Sequence, residues 1–211
     1  MNVYLIRHPK PDVVAGTCYG SMDLALQDGW QQDASQLASW LFPRLTGSTK
    51  AYHSPLQRTA KLASFLIPDS VVADSLRELN FADWEGRLWK EIPKSEIDMW
   101  ANNIVSGAPY NGESLAELAD RVLSWWNNIL SLNSQWPDNL ILVTHSGVIK
   151  VLVSQLCCWP LEYTDRISPD FLSITELSVS PNDMHLDNAM VKHKIPSYFT
   201  RLKRLGAGDW L

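Results

Sequence analysis

Leu5-Ile6-Arg7-His8-Pro9-Lys10-Pro11 is an apolar run that stops on an arginine and a histidine, and Ile141-Leu142-Val143-Thr144-His145-Ser146-Gly147 repeats that design far along the chain. Each run is short and bounded by turn formers, as expected of a buried strand that ends on its histidine. In open α/β sheets, ligands bind beyond the carboxyl ends of the strands. Two histidines and an arginine delivered there predict a site for a phosphate group.

Outward from these two runs, strands alternate with helices. A strand over Asn2–Arg7 is followed by a turn-rich loop at Thr17–Asp23 and a helix over about Asp28–Leu41, with Trp30, Ala34, Leu37, Ala38 and Leu41 as its apolar stripe. A second unit pairs strand Thr49–His53 with a helix running to about Leu66. Ser54 is placed to cap that helix, Pro55 suits its first position and Gln57 completes a capping box. A short strand near Val71–Ala73 leads into Leu76–Gly86, whose mixed pattern predicts a loop over the site. The stretch from Leu88 to about Pro109 predicts a short helix and a connection broken at Pro93, Gly107 and Pro109. Ser114 and Glu117 form another capping box, opening a long helix to about Leu132 along Leu118, Val122, Trp125, Ile129 and Leu132. Strand Leu140–Thr144 and helix Gly147–Leu156 complete a third unit. Two strand-like runs, Leu172–Val179 and Met184–Val191, precede a polar C-terminus. The alternation predicts an α/β protein, a three-layer α/β/α sandwich around a largely parallel sheet. It is read as one domain over 1–211, with a small helical cap insertion at about 88–112.

The 211 residues, 45% of them hydrophobic, suffice to bury a full core. A net charge of −5 argues against a nucleic-acid-binding face, which needs clustered Lys and Arg, so an anion site must be built locally. No stretch reads as a signal peptide or approaches the roughly 18 apolar residues of a membrane span, so a cytoplasmic protein with no membrane partner is expected. Three cysteines, Cys157 and Cys158 adjacent, show no metal-ligand spacing and are expected to be reduced and mostly buried. Lys192, Lys194, Arg201, Lys203 and Arg204 read as a solvated tail or a subunit contact of a homodimer.

Arg7-His8, Ser54-Pro55-Leu56-Gln57-Arg58-Thr59-Ala60, Glu78 within Leu76–Gly86, and Thr144-His145-Ser146-Gly147-Val148-Ile149 resemble, in that order, the motifs of the histidine phosphatase superfamily, also called phosphoglycerate mutase-like. The resemblance spans roughly residues 1–155. Gly16-Thr17-Cys18-Tyr19-Gly20, Asp23-Leu24, Glu78-Leu79-Asn80-Phe81 and Trp84-Glu85-Gly86 look most like the α-ribazole phosphatases of cobalamin assembly. The resemblance implies a phosphomonoesterase without metal or cofactor, working through a phosphohistidine. Its substrate would be a small phosphomonoester, α-ribazole 5′-phosphate or adenosylcobalamin 5′-phosphate. A broad small-metabolite phosphatase is the alternative within the family, and a non-catalytic phosphate-binding module the alternative outside it.

The residues themselves suit that chemistry. A neutral imidazole, with an unperturbed pKa of about 6.5, is a competent nucleophile, the role expected of His8. Arg7 and Arg58 offer planar, always-charged forks for phosphate oxygens. His145 is expected to donate to another oxygen, with the positive end of the helix beginning at Ser146 aimed at the same phosphate and the Ser146 hydroxyl capping it. The resemblance assigns proton transfer to Glu78, with Asp83 and Glu85 as nearby rivals. Tyr19, Trp84, Trp89 and Trp100 are either a face for a planar base or packing residues. Pro9 stands where the family usually has glycine, and it removes an N–H that would otherwise face phosphate. Lys10 is read as a partial replacement for the lost positive potential or as a solvated side chain.

Overall fold

A computed structural model describes residues 1–131, 135–181 and 198–207. The strands are β1 (Asn2–Arg7), β2 (Thr49–His53), β3 (Val71–Val72), β4 (Asn139–Thr144), β5 (Ile174–Pro181) and β6 (Tyr198–Ala207). The helices are α1 (Trp30–Leu41), α2 (Gln57–Leu66), α3 (Lys94–Ala101), α4 (Leu115–Ser131) and α5 (Ser146–Leu156). The six strands form one mixed sheet in the order β3-β2-β4-β1-β5-β6, with β3, β2, β4 and β1 mutually parallel and β5 antiparallel to both its neighbours.

Alternation along the central strands makes the three layers, because successive side chains of a strand leave on opposite faces. Val3 and Leu5 of β1 and Leu140 and Leu142 of β4 pack with α4 and α5. Tyr4 and Ile6, with Ile141 and Val143, pack with α1 and α2. A third, smaller cluster joins Cys18, Trp84 and Ile92 to Phe81, Trp89, Ile97 and Trp100, and so ties the 88–112 segment to the loop after β3.

Several local expectations are corrected. Helix α1 begins at Trp30 rather than Asp28, because Gly29 takes a left-handed conformation at φ 82°. Helix α2 begins at Gln57 with Leu56 as its extended N-cap, so Ser54 is not its cap; the Ser54 hydroxyl accepts from the Leu56 N–H at 3.4 Å and also serves the site at His145. The Ser114–Glu117 capping box forms as expected, but Trp126 rather than Trp125 is the fully buried tryptophan of α4, and Trp125 packs on Tyr52 at the sheet margin. The C-terminal stretch is no solvated tail over 198–207: it is edge strand β6, carrying Arg201, Lys203 and Arg204 beside β5. Leu132, the run Met184–Val191, and Lys192 and Lys194 lie outside the described residues. Of the cysteines only Cys18 is buried, while Cys157 is half-buried and Cys158 exposed. No helix among the described residues is long and apolar enough to cross a membrane.

Candidate active site

The parallel pairing of β1 with β4 decides the geometry. Arg7 lies opposite Thr144, so His8 and His145 leave the same sheet edge side by side, with ring centroids 5.1 Å apart. On the far side of β4, His53 of β2 lies opposite Val143, which brings the next residue, Ser54, within 2.8 Å of His145 Nε2. Three strand ends thus converge. Helix α2, following β2, then carries Arg58 under them.

His8 is 1% exposed, and its Nδ1 lies 2.6 Å from the carbonyl oxygen of Pro9. Only a protonated nitrogen donates to a carbonyl, so this network assigns the proton to Nδ1 and leaves Nε2 unprotonated, its lone pair facing the Arg58 Nε–H. Burial, with the Arg58 guanidinium close by, holds the His8 pKa well below the ordinary histidine value, so the ring is neutral near pH 7. Proline at position 9 costs this arrangement nothing, because the group that orients His8 is a carbonyl, which proline keeps.

Arg58 is fully buried. It donates to the carbonyls of Gly20 at 2.6 Å and Met22 at 2.5 Å, and its Nε points to His8 Nε2 at 3.3 Å, leaving two of the five N–H donors of a guanidinium unassigned. Arg7 donates to Pro169 O at 2.7 Å, lies 3.8 Å over the Phe171 ring, and has an Nε with no hydrogen-bond partner. Neither arginine forms an ion pair with any described carboxylate. Two guanidinium charges drawn out of bulk water without a counter-ion are costly, unless an anion completes the site. His145, also fully buried, has an unpartnered Nδ1 beside them.

Glu78 occupies the N-terminus of α5. The Gly147 N–H reaches its two oxygens at 3.1 and 3.2 Å, and the Leu79 N–H donates to Oε1 at 3.0 Å. A Cβ on residue 147 would collide with Glu78 Oε1, so the carboxylate rests where only glycine leaves room. The positive end of α5 therefore holds Glu78, which replaces the expectation that it points at phosphate. His145 is the extended N-cap of α5 and Ser146 its first residue, so Ser146 is not the cap. The rivals of Glu78 are elsewhere: Asp83 is exposed, and Glu85 Oε1 binds Ser21 and the Phe81 N–H in a loop clip.

Tyr19 interacts electrostatically with Arg7, and its ring centroid stands 5.8 Å from the Arg58 guanidinium, so the structure brings it to the site. Trp84 is not there. It is 2% exposed, packed edge-on against Trp89 and Trp100, with its indole N–H given to Glu96 at 2.8 Å, and belongs to the packing under the 88–112 segment. Trp100 does reach a cavity of about 340 Å³ that Glu78, Ser146 and Gly147 also line. Sequence reasoning missed Phe171, Ser54 as the partner of His145, and Lys150, another lining residue of that cavity. Lys150 was findable, since it follows Ser146 by four residues and Gly147 by three, on one helix face. Phe171 had no sequence signal.

The chain matches the histidine phosphatase superfamily (branch 1) over residues 3–190. It belongs to that superfamily. As a histidine phosphatase it is 24% identical over 169 residues to the adenosylcobalamin/alpha-ribazole phosphatase of Salmonella typhimurium, covering 76% of this chain and 81% of that one. It is 27% identical over 172 residues to the glucosyl-3-phosphoglycerate phosphatase of Mycolicibacterium vanbaalenii, covering 75% of each. Its fold is that of the alpha-ribazole phosphatase from Shigella flexneri, at a TM-score of 0.79 and 22% identity over 99% of this chain and 97% of that one. The protein is a phosphatase, and the resemblance of its sequence to this superfamily is borne out.

Proposed function

We propose that this histidine phosphatase cleaves a small phosphomonoester through a phosphohistidine at His8, with α-ribazole 5′-phosphate, or adenosylcobalamin 5′-phosphate, as substrate. The observation that carries the mechanism is a neutral, buried imidazole whose unprotonated Nε2 faces Arg58, set against two guanidinium groups that form no ion pair with a described carboxylate.

Arg7, Arg58 and Tyr19 bind the phosphate oxygens. With the Ser54 hydroxyl donating to His145 Nε2, the unpartnered His145 Nδ1 carries a proton for a further oxygen. His8 Nε2 attacks phosphorus as the bond to the ester oxygen breaks. The positive charge then appearing on the ring is stabilised through Nδ1–H and the Pro9 carbonyl. Glu78, in its protonated form, gives its proton to the leaving oxygen, and its carboxylate next takes a proton from the water that attacks phosphohistidine. Cleavage of the P–N bond returns neutral His8, a protonated Glu78 and inorganic phosphate. Preorganised charge around the equatorial oxygens supplies most of the acceleration. The substrate assignment draws support from the two alpha-ribazole phosphatases above and from the aromatic wall of Phe81 and Trp100 beside Glu78, which suits a flat base. The 88–112 segment, carrying Trp100, serves as the cap over that cavity.

The test is kcat/KM for α-ribazole 5′-phosphate beside p-nitrophenyl phosphate and O-phosphoserine, for wild type and His8→Ala, with acid-labile phosphoenzyme trapped by rapid quench. A strong preference for the ribazole ester, lost in the variant along with the phosphoenzyme, is the expected result. Comparable rates on all three esters would leave a broad metabolite phosphatase. Phosphate binding without turnover of any ester would favour a non-catalytic module.

A further inference from the structure

Glu78 stands in a segment that has no ladder of its own. Strand β3 ends at Val72, a single 3-10 turn covers Asp74–Leu76, and residues 77–80 belong to no helix or strand. Backbone carbonyls in such a stretch need partners from elsewhere. Arg121 of α4 supplies them: its Nη1 donates to the Ser75 carbonyl at 2.8 Å, and its Nη2 to those of Arg77 at 2.9 Å and Glu78 at 3.2 Å. Another edge of the same guanidinium is engaged by Glu113, whose carboxylate accepts from Nε at 2.6 Å and from Nη2 at 2.9 Å. Glu113 also takes hold of the chain beyond Glu78. Its Oε2 accepts from the Asn80 N–H at 3.3 Å, and its own N–H donates to the Asn80 carbonyl at 2.8 Å.

The pair therefore grips residues 75–80 on both sides of Glu78 from α4, while Gly147 of α5 holds the carboxyl group. Helices α4 and α5 share one core cluster, with Leu118 packed beside Gly147, so the main chain and the side chain of Glu78 are tied to the same pair of packed helices. Arg121 and Glu113 are both half-buried. A planar fork with five donors can meet three carbonyls and a carboxylate together, whereas the three donors of an ammonium radiate from one point. A general acid works only within hydrogen-bond reach of the oxygen it protonates, so little play is allowed at Glu78.

We propose that Arg121, locked by Glu113, is a positioning residue for proton transfer: it fixes the main chain from which the Glu78 carboxyl group reaches the leaving oxygen. The proposal rests on the reading of Glu78 as proton donor given above.

The test is the single-turnover rate of phosphoenzyme formation, by rapid quench, for the full chain as wild type, Glu78→Gln, Arg121→Lys and Glu113→Gln. p-Nitrophenyl phosphate, whose leaving group needs little protonation, is compared with the alkyl ester that wild type cleaves faster, α-ribazole 5′-phosphate or O-phosphoserine. Lysine at 121 keeps the positive charge, which also acts on His145, and removes only the fork. Arg121→Lys should slow the alkyl ester by about 30-fold or more and the aryl ester by less than about threefold, the signature of a displaced acid. Glu113→Gln, which keeps the size of the side chain, should shift the aryl-to-alkyl ratio the same way by about tenfold. Both esters are measured on one preparation, so any unfolded fraction cancels in the ratio, and Glu113→Gln decides if Arg121→Lys fails to fold. Equal losses on the two esters, or a wild-type ratio in a folded variant, would make the pair a staple of stability alone and overturn the proposal. Glu78→Gln separates the two levels. A ratio that shifts there but not in Arg121→Lys sinks only the positioning role; an unshifted ratio there, or a wild type that cleaves the aryl ester alone, removes Glu78 as proton donor and this proposal with it.

Discussion

Replacing Gly147 by alanine tests whether Glu78 must lie where it does. The new methyl carbon would sit inside van der Waals contact of Glu78 Oε1, and 3.3 Å from Leu118 Cδ2, so the carboxylate has to retreat by about 1 Å. It would then lose the Gly147 N–H, a hydrogen bond to a charged acceptor worth about 1.5–3 kcal/mol net. A displacement of that size at a reacting group costs about 10²-fold in rate. Helix propensity offsets only part of that hydrogen-bond loss, because residue 147 is helical and alanine is favoured over glycine there by up to about 1 kcal/mol. We therefore expect Gly147→Ala to lower kcat on an alkyl phosphate about 100-fold, with KM little changed and Tm slightly lowered. p-Nitrophenyl phosphate, whose leaving group needs little protonation, should show a burst of product followed by slow turnover, since water attack on the phosphoenzyme still needs the carboxylate. Wild-type kcat on the alkyl ester in a folded Gly147→Ala protein would refute the placement of Glu78 as proton donor.

The pH dependence has a definite sign. His8 and His145 are held well below the ordinary histidine pKa by burial, and His53 is lowered too, so between the folded values and about 6.5 the unfolded chain binds more protons than the folded one. Stability should be fully present above about pH 6.5 and decline as pH falls below it, whereas kcat/KM should stay flat through pH 6.5 because His8 remains neutral; a thermal-melt series and a rate profile check both. Inorganic phosphate should supply the missing counter-ion and stabilise the protein by about 2.7 kcal/mol at 100 times its Kd, and in Arg7→Met a much higher concentration should be needed for the same rise in Tm. Trp84→Phe removes the hydrogen bond to Glu96 in a packed cluster, so calorimetry should record a loss of about 1 kcal/mol, with kcat/KM on p-nitrophenyl phosphate within twofold of wild type.

The sequence made the strands, their histidine endings and the capping box at Ser114–Glu117 readable, because each is written in neighbouring residues: an apolar run that stops, or an oxygen three residues from a carboxylate. Ser54 misled for the same reason. Its local pattern is that of a cap, yet β2 pairs with β4, and the hydroxyl goes to His145, ninety-one residues away. Trp84 and Trp100 read alike as loop aromatics, and only the packing of the 88–112 segment separates the one that is buried from the one that faces the cavity.

By itself, then, the order of residues determined that this is an α/β protein with Arg7, His8, Arg58 and His145 near one sheet edge, since strand periodicity and strand ends are local properties. Tertiary structure decided the rest: that Arg7 is clamped by Phe171 and Pro169, that Pro9 acts through its carbonyl, that Gly147 is a berth for Glu78, and that Lys150 lines the cavity. Each of these is a contact between distant segments or a matter of what surrounds a charge, and neither is encoded in spacing along the chain.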